Sequence, residues 1–365
     1  MGIYLHLPLL VPLILYNFIS LINNLFIYRL YAKEYQFAIK MVEGSVNWWY
    51  NAYAGYFMKQ ENYDFFYDVI DEACMLICGE TNCNYLDALI RVSKDLVEDI
   101  DDSRLDNASL TKLAEIYDKL NERIVSNEDI RLAYTFLFVK ALKHAKYPLD
   151  ILIPDAIGLL FANIIRQYFD YNINMLEINA KCASLTNTIA NFLEIDTYCF
   201  AQEEDSKLAT LAKYSSNVAD RDLVVYNNKL LDPLEVSVDT IFGYLESKVE
   251  DNNYIPYKAI SKLMRYLDED GLFIFLIDND FFSYPDLNNF RNSFTGTLLG
   301  LLILPNTLFQ GDKTRSVLIG SKKQINDFEM IVMNMPSFSD AVKLNETMMN
   351  IEVWVKELAK VIKEN

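Results

Sequence analysis

From Pro154 onward the chain changes rhythm, and that change most constrains its fold. Short apolar runs of strand length alternate with segments whose apolar residues recur every three or four positions, the pattern of crossover units on a mostly parallel sheet. Strands are expected near residues 173–177, 196–201, 222–226, 236–242, 271–277, 298–304, 315–320 and 328–333. Helices fall near 155–169, 185–193, 205–216, 256–268 and 286–294, and a last one over about 339–363 presents Val342, Met349, Val353, Val355, Leu358 and Ile362. The expected class is α/β and Rossmann-like. Residues 175–185, Met-Leu-Glu-Ile-Asn-Ala-Lys-Cys-Ala-Ser-Leu, join the first strand to the next helix, where such a fold holds a nucleotide on a glycine-rich turn; this run has no glycine. A cofactor turn needs residues without a Cβ, so that φ can be positive and the backbone can approach the ligand. The fold is announced more strongly than its usual chemistry.

Upstream, from Lys59 to about Tyr147, the periodicity is helical throughout and four helices fit. Phe65, Phe66, Val69, Ile70, Ala73 and Ile77 line the first, and Leu86, Leu89, Ile90, Leu96 and Val97 mark the second. Ser109 is placed to cap a third helix running through Leu113, Ile116 and Leu120. Ser126, with Asp129 three residues on, reads as a capping box for the fourth, which Pro148 follows. The expected division is a hydrophobic N-terminal segment (1–57), an all-α domain (58–150), a Rossmann-like domain (151–335) and a C-terminal helix (336–365).

With 51 acidic and 33 basic residues the formal charge is -18, which argues against a surface built mainly to hold DNA. The stretch holding Lys313, Arg315, Lys322 and Lys323 is where a local basic patch could still form. The five cysteines are odd in number and follow no cleavable secretory signal, so reduced thiols and a cytoplasmic setting are expected. Cys74, Cys78 and Cys83 have a spacing that invites a metal, but no histidine lies nearby, and buried structural thiols are the expectation. His6 and His144 are the two histidines, and neither sits in an active-site loop.

Residues 8–27 carry no charge and are about long enough for a bilayer core of roughly 30 Å. Arg29, Lys33 and Lys40 follow on one side, so an anchor here would leave the rest of the chain in the cytoplasm. Pro8, Pro12, Asn17, Asn23 and Asn24 oppose a membrane helix. The competing reading is that residues 1–57 do not belong to the folded module and that Met58 is a start residue.

Several local texts resemble one family. They are Tyr85-Leu86-Asp87-Ala88, Pro154-Asp155-Ala156-Ile157-Gly158, Leu263-Met264-Arg265-Tyr266-Leu267 and Leu304-Pro305-Asn306-Thr307-Leu308-Phe309. With the order of elements, they are similar to bacterial adenine-specific DNA methyltransferase-like proteins of the class I S-adenosylmethionine (SAM)-dependent type, which carry a helical domain before the catalytic sheet. The resemblance runs from about Met58 to about Lys323.

It implies SAM as cofactor and a set of site residues. Glu177 matches the acidic lead of the cofactor loop, and Lys181 stands where the family has glycine. If φ stays positive there, a Cβ costs about 1 kcal/mol or more. Pro154 opens the first helix of the catalytic domain, preceded by Ile153 where the family often has a SAM-holding threonine. Glu203, at the end of the second strand, matches the acid that accepts from ribose hydroxyls, and it equally suits a helix N-terminus. On the acceptor side, Asp239 matches the amine acceptor and Tyr244 the ring that stacks on a flipped base, while Ile241 replaces the proline that would fix their aim.

Two functions are consistent with this pattern. One is a methyltransferase-like protein impaired in catalysis and acting through binding to an unidentified protein partner. The other is an active SAM-dependent N6-adenine methyltransferase acting on DNA.

Overall fold

The computed structural model describes residues 60–98, 104–193, 195–309, 314–325 and 328–364. The expectations for the apolar run 8–27 and for a start at Met58 lie outside the described residues, as does Lys313. Among the described residues, no helix is long and apolar enough to cross a membrane. The described residues within 58–337 and 347–365 form one compact unit.

Helices α1 (Gln60–Thr81), α2 (Tyr85–Asp95), α3 (Asn107–Asp118) and α4 (Asn127–His144) make the N-terminal layer. Their apolar stripes meet around Phe66, Ile70, Leu86, Leu89, Leu113 and Leu137, all buried. Cys74 is part of that core, and Cys78 and Cys83 pack against it half-buried. Ser126 and Asp129 close a capping box on α4. The α3 cap differs from expectation. Ser109 lies inside the helix, and Asp106 takes the cap by accepting from the Ser109 amide at 2.7 Å. A carboxylate suits the positive helix end better than a hydroxyl.

The C-terminal part carries strands β1 (Ile173–Ile178), β2 (Thr197–Gln202), β3 (Leu223–Tyr226), β4 (Val238–Leu245), β5 (Val249–Glu250), β6 (Asn253–Tyr254), β7 (Leu267–Asp278), β8 (Thr297–Ile303), β9 (Arg315–Ser321) and β10 (Ile331–Asn334). Among the described residues the main sheet runs β10-β8-β9-β7-β4-β1-β2-β3, and β5 and β6 form a separate hairpin. β3, β2, β1, β4 and β7 are mutually parallel, whereas β9 runs antiparallel to both β7 and β8. β7 starts earlier than expected because Leu267 already pairs with Val238, and the ladder absorbs the acidic run 268–270 as an irregularity.

Helices α5 (Asp155–Tyr168), α6 (Ser184–Phe192), α7 (Ser206–Val218), α8 (Ile255–Leu263) and α9 (Leu287–Ser293) flank the sheet. The last helix, α10 (Ala341–Glu364), buries Ile351, Val355, Leu358 and Ile362, while Val342, Met349 and Val353 from the expected apolar set are exposed.

The helical layer docks on α6 and α7. Cys182, Leu208, Leu211 and Ala219 belong to the same buried cluster as the core of α1–α4. At the centre of the junction Arg131 of α4, buried, pairs with Glu128 at 2.6 Å and Asp155 at 3.1 Å and donates to the Thr188 hydroxyl at 3.0 Å. Two layers joined by apolar contact and a buried polar network hold the loop after β1 between them.

Candidate functional site

The parallel strands on the two sides of β1 come from opposite directions in the chain: β2 follows it, and β4 lies across the order reversal. At such a reversal the connections diverge, and a crevice opens outside the strands' carboxyl ends. A cleft of about 320 Å³ lies there, with Ile153, Asn179, Lys181, Lys229, Leu230 and Tyr244 in its walls. That is near the lower bound of the roughly 300–1,000 Å³ of small-molecule sites.

The loop from β1 to α6 keeps a glycine backbone without glycine. Asn179, Lys181 and Ala183 have φ of 49°, 51° and 54°. Asparagine tolerates this region, whereas each lysine or alanine in it is strained by about 1–2 kcal/mol. The conformation is held from outside: Asn179 Nδ2 donates to the Tyr244 carbonyl at 3.0 Å, and the Ala180 amide donates to Gln202 O at 3.0 Å. The positive φ expected for Lys181 is therefore present.

What Lys181 does there could not be read from spacing. Its amide donates to Glu203 Oε2 at 2.9 Å, and its ammonium lies 3.4 Å from the same oxygen and 3.5 Å from Oε1. The Asp205 amide donates to Glu203 Oε1 at 2.9 Å. Glu203 is 1 % exposed, and Lys181, not Glu203, lines the cleft. A carboxylate so buried needs a charge partner, and the chain supplies one from the loop after β1. Sequence reasoning brought both residues to the site but not to each other.

Glu177 also faces inward. It is buried, and its Oε2 accepts from the Thr186 amide at 2.9 Å and the Thr186 hydroxyl at 2.7 Å, which ties β1 to the first turn of α6. Burial pushes its carboxyl up to about 8 against the pull of the two Thr186 hydrogen bonds, and the neighbouring Glu203 adds to the rise. Pro154 is at the start of α5, its carbonyl accepting from the Ile157 amide at 2.9 Å; its neighbour Ile153, rather than Pro154, lines the cleft.

The two acceptor-side residues are not brought together. Asp239 is the second residue of β4, so about 15–20 Å of strand separates it from the carboxyl edge. There it accepts from the Asn174 amide at 2.8 Å and the Tyr171 hydroxyl at 3.1 Å, a clamp on the start of β1. The expected pairing of Asp239 with Tyr244 is thus corrected. β4 runs later than anticipated and carries Asp239 to the far end of the sheet. Tyr244 does reach the cleft. Its hydroxyl donates to Asp278 Oδ1 at 2.9 Å, and the guanidinium carbon of buried Arg315 lies 4.3 Å from its ring centroid and 4.7 Å from that of Phe309. One face of the ring is therefore already covered.

Gly243, beside Tyr244, has φ of +148°, and a methyl group on it would lie 2.3 Å from the Ile178 carbonyl oxygen. Gly243→Ala is expected to destabilise by about 2–3 kcal/mol, combining backbone strain with the displacement of β1 from β4. Urea unfolding would measure it; a loss of less than about 0.5 kcal/mol would mean that the strand ends part freely.

The cations of the basic stretch are engaged within the protein where they are described. Arg315 is buried with Asp278 3.6 Å away, Lys322 donates to the Leu267 carbonyl at 2.9 Å, and Lys323 pairs with Asp270 at 2.9 Å.

Comparison with known proteins agrees with this architecture. Residues 64–142 match the family model described as the YtxK N-terminal helical domain. Over 337 residues the chain is 23% identical to the uncharacterized protein YtxK of Bacillus subtilis (strain 168), an alignment covering 82% of this chain and 99% of that protein. Among solved structures it is similar to a putative class I S-adenosylmethionine-dependent methyltransferase from Listeria monocytogenes, with 21% identity, a TM-score of 0.71, and coverage of 82% of this chain and 100% of the other. A type I restriction-modification methyltransferase subunit from Streptococcus thermophilus matches with 12% identity and a TM-score of 0.54 over 74% of this chain and 70% of that one. The fold is a Rossmann-like methyltransferase fold preceded by a helical domain.

Proposed function

We propose that this chain is a methyltransferase-fold protein impaired in methyl transfer that works through binding. The observation that carries the reading is the Lys181–Glu203 pair. Glu203 follows β2 at the position where the resemblance implies the ribose acid, yet its oxygens are engaged by Lys181 and Asp205 and its side chain is buried. A nucleoside cofactor would have to break that ion pair in a site partly shielded from water, where separating charges is costly. SAM adds a sulfonium beside the freed ammonium, a like-charge contact. The residues at the loop therefore do not fit SAM, the cofactor that the resemblance implies.

The acceptor side supports the same reading. Where β4 ends, the chain reads Tyr244-Leu245-Glu246-Ser247, with neither a proline nor a polar residue followed by proline to aim an amine acceptor. Arg315 covers one face of the ring on which a base would stack. The alternative, an active N6-adenine methyltransferase acting on DNA, has one observation in its favour, the left-handed backbone retained at Asn179, Lys181 and Ala183. The net charge of -18 opposes it by repelling a polyanion.

Deleting the gene is expected to leave the host's adenine methylation pattern unchanged when modified bases are sequenced beside the parent strain. Loss of a specific N6-methyladenine motif, restored by the intact gene, would replace this reading with the active-enzyme one.

A further inference from the structure

A second groove, of about 570 Å³, lies between α8 and α9; it adjoins the carboxyl-edge cleft at Leu231 and is otherwise lined by different residues. We infer that it is a docking site for a short acidic segment of a protein partner. This rests on the reading of the chain as a binding protein and names the chemistry of what it binds.

The groove reverses the sign of the rest of the molecule. Lys258, Lys262 and Arg265 line one wall, and Asp286 is the single carboxylate among the lining residues. Asp286 is engaged, since its Oδ2 accepts from the Tyr254 amide at 3.2 Å. In a chain with 51 acidic and 33 basic residues, a cation near the surface easily finds a carboxylate, as Lys322 and Lys323 do. None of the three groove cations forms an ion pair among the described residues. Lys262 donates instead to the Leu231 carbonyl, Arg265 Nε donates to Lys262 O at 3.0 Å, and Lys258 is exposed. Ser261 and Asn289 add neutral donors. The wall is stiff, because Tyr257 and Phe290 stack across the two helices with ring centroids 4.7 Å apart.

The dimensions select a short ligand. Lys258 and Lys262 lie one helical turn, about 6 Å, apart along α8, and Arg265 follows in the turn past its end, so the cations span a distance comparable to the Debye length of about 8 Å at physiological salt. An acidic segment confined to the groove therefore feels mainly these cations. A nucleic acid strand extends past them into the field of an acidic protein and is repelled there. A peptide bearing a few carboxylates is the occupant that fits both the cations and the charge around them.

The test is fluorescence anisotropy of the full chain with fluorescein-labelled tetraglutamate across a salt series. Binding that weakens with salt is expected, and the double substitution Lys258→Ala with Arg265→Ala should reduce affinity about tenfold or more. Both residues are exposed, so the fold is retained. Lys356→Ala with Lys360→Ala makes the same change in net charge at exposed positions on α10 and should leave affinity unchanged. No binding at low salt, or an equal loss in the α10 control, would overturn the proposal. So would tighter binding of labelled oligothymidylate that the groove substitutions abolish, which would assign the groove to nucleic acid. Neither groove residue lines the carboxyl-edge cleft, so failure here leaves the reading of the Lys181–Glu203 pair standing.

Discussion

Arg131→Met is expected to lower the unfolding free energy by about 3–5 kcal/mol, the cost of removing one partner from a buried ion pair. Methionine fills much of the volume of the arginine stem, so packing is a minor part of the loss. What remains is charge. Glu128, 6 % exposed, loses both guanidinium contacts and keeps the Asn191 amide at 2.8 Å, while Asp155 loses its contact at 3.1 Å. The network sits where α4 meets α6, so the damage should reach the seating of the helical layer as well as global stability. Chemical denaturation gives the magnitude, and hydrogen exchange at α4 and α6 gives the location. A loss below about 1 kcal/mol would show that the junction is solvated and the network is a surface one.

Glu177→Gln is expected to remove a large pH dependence of stability. The folded-state carboxyl is raised from 4.5 to about 8, so the native protein keeps a proton there that the unfolded chain has released. Between those values the native state binds more protons than the unfolded one, and stability falls as pH rises. The contribution is fully present below about 4.5, is lost progressively up to about 8, and is flat above that. At about 1.4 kcal/mol per unit the full span is up to about 5 kcal/mol. Glutamine retains an oxygen that can accept from Thr186 and cannot ionise. The difference between the two proteins, measured by urea titration at pH 5 and pH 8, should shift in favour of the variant as pH rises. A pH-independent difference would place an ionised Glu177 in the native protein.

Much of the fold was legible because its determinants are local. The run 272–277 is continuously apolar because a strand covered on both faces has no polar side to show, and turns and helix periods bracket it. Glycine's absence from 175–185 was equally plain. The backbone that the loop nonetheless adopts was not, because three residues are held at positive φ by contacts from β2 and β4. The Lys181–Glu203 pair spans 22 positions and exists only because β1 and β2 lie in parallel register, Ile178 opposite Gln202. Asp239 was misplaced for the converse reason. Its motif match fixed neighbours in the chain but not which end of the strand they would occupy, and β4 extends to Leu245 rather than stopping near residue 242. Arg315 gave no signal as a partner of Tyr244, since the antiparallel pairing of β9 with β7 brings it there.

If the chain's own lysine closes the cofactor side of the fold, as proposed, titration calorimetry of this chain with SAM will show it. Wild type should show no saturable heat in the micromolar range, and Lys181→Gly should bind more tightly, because it removes the ammonium from Glu203 and relieves the left-handed strain at once. A low-micromolar dissociation constant for wild type, unchanged or weakened in Lys181→Gly, would contradict the account.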